Sequence, residues 1–176
     1  MTSLSIQASQ APRAASELLP GLGEIEQAAG IVYAGMAPTP QLCWPLLNQA
    51  LGAEVWVKHE NHAPTGAFKV RGGMVYLHHL ARQQPQLSGV ISATRGNHGQ
   101  SVGLSARRFG IPATIVVPEG NSREKNAAMR ALGADLIEHG REFQDSREHA
   151  QRLAREQQLH MIPSFHRDLV AGVSTY

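Results

Sequence analysis

The sequence predicts an α/β protein built around a parallel sheet, and three observations lead to this class. Short apolar segments alternate with amphipathic ones through the second half of the chain, a rhythm typical of strands joined by helical crossovers. Gly110 and Gly133 each follow a predicted helix and precede a predicted strand, where a left-handed cap residue is favoured. The 176 residues are 42% hydrophobic, which is enough for one core or two small ones.

The first half of the chain predicts a helix, a strand and a second helix. Apolar residues recur at helical spacing from Gly23 to Met36, and Pro38-Thr39-Pro40 ends that pattern. The segment from Leu42 to Leu51 is ambiguous, whereas the segment 54–59 alternates and predicts a strand. A polar loop then leads into a helix that begins near Lys69. The predicted buried stripe of this helix is Val70, Met74, Leu77 and Ala81.

The second half predicts four strands separated by three helices. The strands are expected at residues 89–93, 113–117, 134–137 and 159–162, and the helices at residues 97–109, 122–132 and 142–157. Ligands of such sheets collect at the carboxyl ends of strands, beside helix N-termini. The loop 94–97 follows the first of these strands and is therefore a candidate anion site, with a plain helix cap as the alternative interpretation.

The composition favours a protein that binds or acts on a small molecule. The formal charge of +2 is small and the basic residues are scattered, so no nucleic-acid partner is expected. No unbroken apolar run is long enough for a membrane helix. The single cysteine, Cys43, is typical of a reducing cytoplasm. Residues 1–20 are rich in Ser, Ala and Gln and are expected to form a flexible N-terminal arm rather than a signal peptide.

Lys69 is the most informative residue of the chain. It lies in the run Thr65-Gly66-Ala67-Phe68-Lys69-Val70-Arg71-Gly72-Gly73, in the expected first turn of a helix entered through a glycine-containing bend. A helix start carries unpaired N–H groups and the positive end of the macrodipole, which disfavours an ammonium. A neutral amine is the form that Schiff-base chemistry requires. A solvated surface lysine is the simpler alternative for this residue type.

Two motifs together resemble a known family. The run Phe68-Lys69-Val70-Arg71-Gly72, followed by Thr94-Arg95-Gly96-Asn97-His98-Gly99-Gln100, is similar to the paired signature of pyridoxal-phosphate enzymes of the tryptophan-synthase-β superfamily, fold type II. Within it, the chain most resembles the threonine/serine dehydratase and serine racemase branch. The resemblance implies a lyase that removes water and ammonia from a 3-hydroxy amino acid of the L-threonine or L-serine type, giving a 2-oxo acid. It also implies a homodimer when the chain is complete.

The same resemblance implies roles for individual residues. Lys69 would carry the pyridoxal phosphate and act as the catalytic base, and Phe68 would pack beside the cofactor. Asn97 would hydrogen-bond the cofactor's ring oxygen. The substrate carboxylate would be held by the loop that contains Thr94, Arg95, Gly96 and His98.

Two residues depart from the family pattern. Arg95 stands where related dehydratases usually carry a small residue and racemases a serine that acts as second acid/base, so it argues against racemisation. Arg95 suggests either a second anion on the substrate, as in a hydroxyaspartate dehydratase, or a solvent-facing arginine. Ala67 replaces the serine that commonly precedes the Phe-Lys pair, which predicts a changed local hydrogen bond rather than lost chemistry.

The resemblance also predicts the domain organisation. Residues 21–86 would form the N-terminal part of a large cofactor domain with the Schiff-base lysine, and residues 87–165 a small three-layer α/β domain. Residues 166–176 would begin the return to the larger, incomplete α/β domain. No glycine-rich loop for the cofactor phosphate is found, so we expect an N-terminal portion of a longer enzyme that is inactive alone. The alternatives are a catalytically inactive fragment or interaction module, or a racemase or hydroxyaspartate dehydratase of the same family.

Two other classes of site find little support. The nine histidines show no His-Glu-x-x-His motif or Cys/His cluster, so no metal site is expected. Neither a G-x-G-x-x-G fingerprint nor a P-loop occurs, which argues against a nucleotide-binding fold. The charged residues of the last predicted helix are interpreted as a solvated face, namely Arg141, Glu142, Asp145, Arg147 and Glu148.

Overall fold

The computed structural model describes residues 19–176, so the predicted arm lies almost wholly outside the described residues. The helices are α1 (Leu22–Tyr33), α2 (Pro45–Leu51), α3 (Lys69–Gln83), α4 (Asn97–Arg108), α5 (Arg123–Ala131), α6 (Phe143–Glu156) and α7 (Arg167–Val173). The strands are β1 (Gln41–Cys43), β2 (Trp56–Lys58), β3 (Val90–Ala93), β4 (Ala113–Val117), β5 (Ala134–Glu138) and β6 (His160–Met161). A single 3₁₀ turn, Glu60–His62, precedes the loop to α3.

A four-stranded parallel sheet with the order β5-β4-β3-β6 confirms the predicted α/β class. On one face, Ala150 of α6 packs with Ile91 and Val116. On the other face, a larger cluster joins Ile115 of β4 to Met129 of α5 and to residues of α3 and α4. The sheet is thus the middle of three layers, as is common for parallel strands that are buried on both faces.

The ambiguous segment contains one strand and one helix. β1 pairs antiparallel with β2, with Leu42 opposite Val57, so the strand predicted at 54–59 is shorter and lies outside the parallel sheet. Helix α2 begins with Pro45 at its first turn and ends at Gly52, whose φ is 63°. Both residues suit those positions, but neither α2 nor β1 is long enough to display a hydrophobic period.

Helix α7 packs directly on α3 through two glycines. A Cβ atom at Gly72 would lie 2.6 Å from the carbonyl oxygen of Leu169, and a Cβ at Gly172 would overlap the carbonyl oxygen of Arg71. Only glycine permits backbones to approach so closely. Ala81, predicted to be buried, is only half-buried, because α3 emerges from the core in its last turn. No helix within residues 19–176 has the length and apolar character needed to cross a membrane.

Candidate active site

Lys69 is the first residue of α3, as the sequence predicts. The chain turns at Gly66, whose φ of 65° is in the left-handed region, and Phe68 caps the helix without a side-chain hydrogen bond. The Lys69 carbonyl oxygen accepts a hydrogen bond of 2.7 Å from Oγ of Ser101. The backbone of the lysine is therefore fixed against α4, while its side chain is only half-buried.

The Lys69 side chain lines a cleft of about 240 Å³ between α3, α4 and the segment that enters α7. The walls are largely apolar, and the lining residues are Phe68, Lys69, Gly72, His98, Ser164, Phe165, Leu169, Val170 and Val173. An apolar cleft with a small number of polar groups is the common form of a small-molecule site.

His98 lines this cleft and has a buried, unpartnered nitrogen. The residue is 7% exposed, and its Nε2 has no hydrogen-bond partner. Burial, together with the nearby charge of Lys69, lowers the pKa of His98 from 6.5 to about 4, so the imidazole is neutral at pH 7. A buried polar atom without a partner is uncommon in folded proteins and costs free energy. Phe68, Lys69 and His98 are the predicted site residues that line this cleft.

The candidate anion loop lies between β3 and α4, where the sequence predicts it. The backbone N–H of Gly96 donates a hydrogen bond of 3.1 Å to Oγ1 of the buried Thr94. The side chains of Arg95 and Asn97 are exposed and do not line the Lys69 cleft. A Cβ atom at Gly96 would lie 2.8 Å from Cδ of Lys125, so a lysine of α5 covers this glycine. Nothing in the local pattern around Lys125 predicts that contact.

A second cavity adjoins the Lys69 cleft. It has a volume of about 450 Å³, shares Ser164 and Phe165 with the cleft, and is bounded by Phe143, Arg147 and Gln151 of α6. The sequence interpretation assigns Arg147 to a solvated face, and the residue is indeed exposed. The residue nevertheless borders the cavity. These three α6 residues are spaced four apart in the sequence, which puts their side chains on one side of the helix. This spacing is the signal that could have identified Arg147 as a neighbour of the cavity.

The histidines do not form a metal site within the part of the chain that the structure describes. There, no three His, Cys, Asp or Glu side chains are grouped so that they could hold a metal ion. The Oδ2 atom of Asp168 lies 3.1 Å from Nδ1 of His79 and 3.9 Å from Nδ1 of His166. The backbone N–H of Asp168 donates a hydrogen bond to the latter nitrogen, which makes this group an ion-pair and capping arrangement.

Comparison with known proteins gives the class of this chain. Residues 32–176 match the model of a family described as pyridoxal-phosphate dependent enzyme. This match covers most of the chain, and the chain belongs to that family. The family's cofactor is pyridoxal phosphate.

Several curated relatives are amino-acid lyases. The chain is 36% identical over 159 residues to L-threo-3-hydroxyaspartate ammonia-lyase of Saccharomyces cerevisiae, covering 90% of this chain and 48% of that protein. It is 35% identical over 156 residues to a catabolic L-threonine dehydratase of Staphylococcus aureus, covering 88% of this chain and 45% of that protein. The chain thus spans about half the length of these two relatives.

Solved structures show the same fold. A pyridoxal 5'-phosphate-dependent aspartate racemase superposes with a TM-score of 0.81 at 27% identity, covering 86% of this chain and 47% of that one. Threonine deaminase isoform 2 from Solanum lycopersicum superposes with a TM-score of 0.76 at 29% identity, covering 90% of this chain and 48% of that one. These neighbours confirm the fold type II resemblance that the two motifs indicate.

Proposed function

We propose that this chain is the lysine-bearing part of a pyridoxal-phosphate-dependent lyase, which removes water and ammonia from a 3-hydroxy amino acid to give a 2-oxo acid. L-threonine and L-serine are the proposed substrates. The observation that carries the proposal is Lys69, at the first turn of α3, lining an apolar cleft beside the unpartnered nitrogen of His98. The lyases among the relatives support the same reaction class.

The residues of the cleft fit the family's cofactor. Lys69 supplies an amine, Phe68 and Phe165 supply apolar surface for an aromatic ring, and His98 supplies a polar atom that lacks a partner. Asn97, in the first turn of α4, is proposed to reach the ring oxygen. When bound, pyridoxal phosphate supplies an electron sink for the charge that develops at the substrate α-carbon.

The proposed role of the chain is to bind and orient the cofactor and the substrate, and to move one proton. Lys69 would hold the cofactor through its side-chain amine, and Nζ would accept the α-proton of the substrate. The N–H groups at the start of α4, together with Thr94, hold the substrate carboxylate, because a helix N-terminus favours an anion. The neutral His98 adds a hydrogen-bonding group without adding a competing positive charge.

The domain organisation is proposed as the sequence predicts it. Residues 21–86 and 166–176 would belong to one cofactor domain, and residues 87–165 to a second. A hydrophobic cluster that joins Val32 of α1, Val75 of α3 and Ala171 of α7 supports the grouping. We also propose a cytoplasmic homodimer that acts on small amino acids and binds neither nucleic acid nor membrane.

A 3-hydroxy acidic amino acid is the second candidate substrate. The 36% identical relative is a hydroxyaspartate ammonia-lyase, and Arg147 borders the cavity that adjoins the Lys69 cleft. A guanidinium there would pair with a side-chain carboxylate.

We expect Arg147→Gln to raise the half-saturating concentration of L-threo-3-hydroxyaspartate by about tenfold or more, measured by the spectral change of the cofactor-loaded chain. L-threonine is the control ligand, and an equal change for both ligands would contradict this assignment. Arg95→Gln tests the arginine of the candidate anion loop in the same way.

An absorbance titration tests the main proposal. Pyridoxal phosphate added to the chain should produce the band of the lysine-bound cofactor, and L-threonine should then remove that band. Lys69→Ala should abolish both effects. Lys125→Ala is the matched control and should retain the band. A band that persists in Lys69→Ala, or no band in any form of the chain, would favour the non-catalytic interaction module instead.

A further inference from the structure

Arg71 lies two residues after Lys69 on α3 and is completely buried. Its Nε donates a hydrogen bond of 2.8 Å to Oε2 of Glu60, and its Nη2 donates one of 2.9 Å to Oε1 of the same carboxylate. This bidentate geometry is the strongest form of an arginine–carboxylate pair. Arginines are among the residues that are least often fully buried, so the position requires an explanation.

The remaining donors of Arg71 reach two distant parts of the chain. Nη1 lies 3.3 Å from the hydroxyl oxygen of Tyr33 at the end of α1 and 3.3 Å from Oγ1 of Thr175, which follows α7. The Tyr33 hydroxyl in turn donates a hydrogen bond of 2.7 Å to the carbonyl oxygen of Thr175. Arg71 therefore ties α3 to both flanking helices. We call these residues, with Glu60 and Thr39, the Arg71 network.

Glu60 completes the network on the side of the loop that leads to Lys69. Its side chain is 15% exposed, and its Oε1 accepts a hydrogen bond of 2.6 Å from Oγ1 of Thr39. Burial acts to raise the pKa of Glu60, but the hydrogen bonds from Arg71 and Thr39 outweigh it and leave that pKa below its ordinary value. The carboxylate is therefore ionised when it meets the guanidinium.

The pair brackets Lys69 in the sequence. Glu60 begins the 3₁₀ turn before the loop, and Arg71 lies 11 residues later in the first turns of α3. Closing that short segment with two hydrogen bonds limits the conformations open to the loop and to the helix start. On the opposite side, Thr175 follows α7, whose Val173 lines the cleft. The same guanidinium therefore connects the lysine's loop to a wall of its cleft.

We propose that the bidentate pair Arg71–Glu60 is a positioning device, which holds Nζ of Lys69 at the correct place relative to the cleft wall formed by α7. This inference rests on the proposed function of Lys69. A buried ion pair is a weak source of net stability, because desolvation offsets most of the attraction. Geometry, in contrast, matters strongly in covalent capture, since a displacement of about 1 Å can cost about a hundredfold in rate.

The test is the rate at which Lys69 captures pyridoxal phosphate, followed with the whole chain at increasing cofactor concentration. The variant Glu60→Gln/Arg71→Met removes both charges at once, because removing one partner alone would leave a buried charge and could prevent folding. We expect the capture rate at saturation to fall by about tenfold or more, while the half-saturating concentration stays nearly unchanged. Arg71→Lys keeps the charge but loses the bidentate fork. It should capture the cofactor faster than the double variant but more slowly than the original chain.

Two controls separate positioning from stability. The exposed pair Arg152–Glu156 is neutralised in the same way in the variant Arg152→Met/Glu156→Gln. This variant should capture pyridoxal phosphate at the original rate. Ala150→Gly weakens the buried contact of α6 and lowers stability at a site remote from Lys69. Its capture rate per folded molecule should be unchanged.

The outcomes are distinguishable from those of the main proposal. A double variant that is folded and captures at the original saturating rate would overturn the positioning role, while Lys69-dependent capture by the original chain would leave the proposed function intact. A loss of rate that only follows the folded fraction, as in Ala150→Gly, would likewise overturn the inference. Absence of capture by the original chain would overturn both.

Discussion

At the residue scale, the unusual features of the site concern His98 and the Arg71 network. His98 is buried beside a lysine and keeps a neutral ring, so its chemistry is set by its surroundings rather than by its position in a motif. The sequence predicts that this histidine belongs to the site, because it lies in the Thr94–Gln100 motif. It does not predict the burial of Arg71, because the partners Glu60 and Thr175 lie 11 and 104 residues away.

The lowered pKa of His98 predicts acid sensitivity. The unfolded chain takes up a proton near pH 6.5, whereas the folded chain resists protonation until the pH falls to about 4. The contribution of His98 to the free energy of unfolding should therefore fall as the pH is lowered through this window, by about 3 kcal/mol in all, and level off below it. Urea unfolding of His98→Gln should show a clearly smaller fall over the same range. The exposed His62→Gln is the control, and an identical pH dependence in all three proteins would contradict the assignment.

At the element scale, the strands β3, β4 and β5 and the helices α4, α5 and α6 could be predicted, because each is long enough to show an apolar run or a helical period. The pairing of β1 with β2 could not, since these strands have three residues each and their partners are set by tertiary contacts. Helix α7 is likewise short, with seven residues. Its position depends on Gly72 and Gly172, whose importance appears only when the two helices are seen together.

The close contact of α3 with α7 predicts that one added methyl group in this contact strongly lowers the stability of the chain. Gly172→Ala should lower the free energy of unfolding by about 1–3 kcal/mol, because its Cβ would overlap backbone of α3 that has no room to move. Gly30→Ala is the matched control within α1, where a Cβ would meet nothing within 4 Å. That substitution should stabilise the chain by about 0.5–1 kcal/mol through helix propensity alone. Thermal or urea unfolding measures both, and similar effects of the two substitutions would contradict the packing argument.

At the scale of the whole molecule, helices α3 and α4 and the segment that enters α7 together form the cleft. The carboxyl end of β3 leads into the candidate anion loop, and Lys69 lies in the first turn of α3. Ser101 of α4, the helix that follows this loop, donates a hydrogen bond to the Lys69 carbonyl oxygen. Lys69 of the first motif and His98 of the second, separated along the chain, therefore line one cleft. Their meeting was predictable from the resemblance, whereas the second cavity with Arg147 depends on how α6 packs on the sheet.

The most direct test of this account is to identify the side chain that carries the cofactor. The chain has only three lysines, Lys58, Lys69 and Lys125, so borohydride reduction in the presence of pyridoxal phosphate, followed by peptide mapping, gives an unambiguous answer. Lys58 is engaged with the carbonyl oxygen of Thr39, and Lys125 is exposed on α5. We predict one reduced pyridoxyl group per chain, on Lys69. Labelling of Lys125 or Lys58 in its place, or equal labelling of all three, would contradict the central claim.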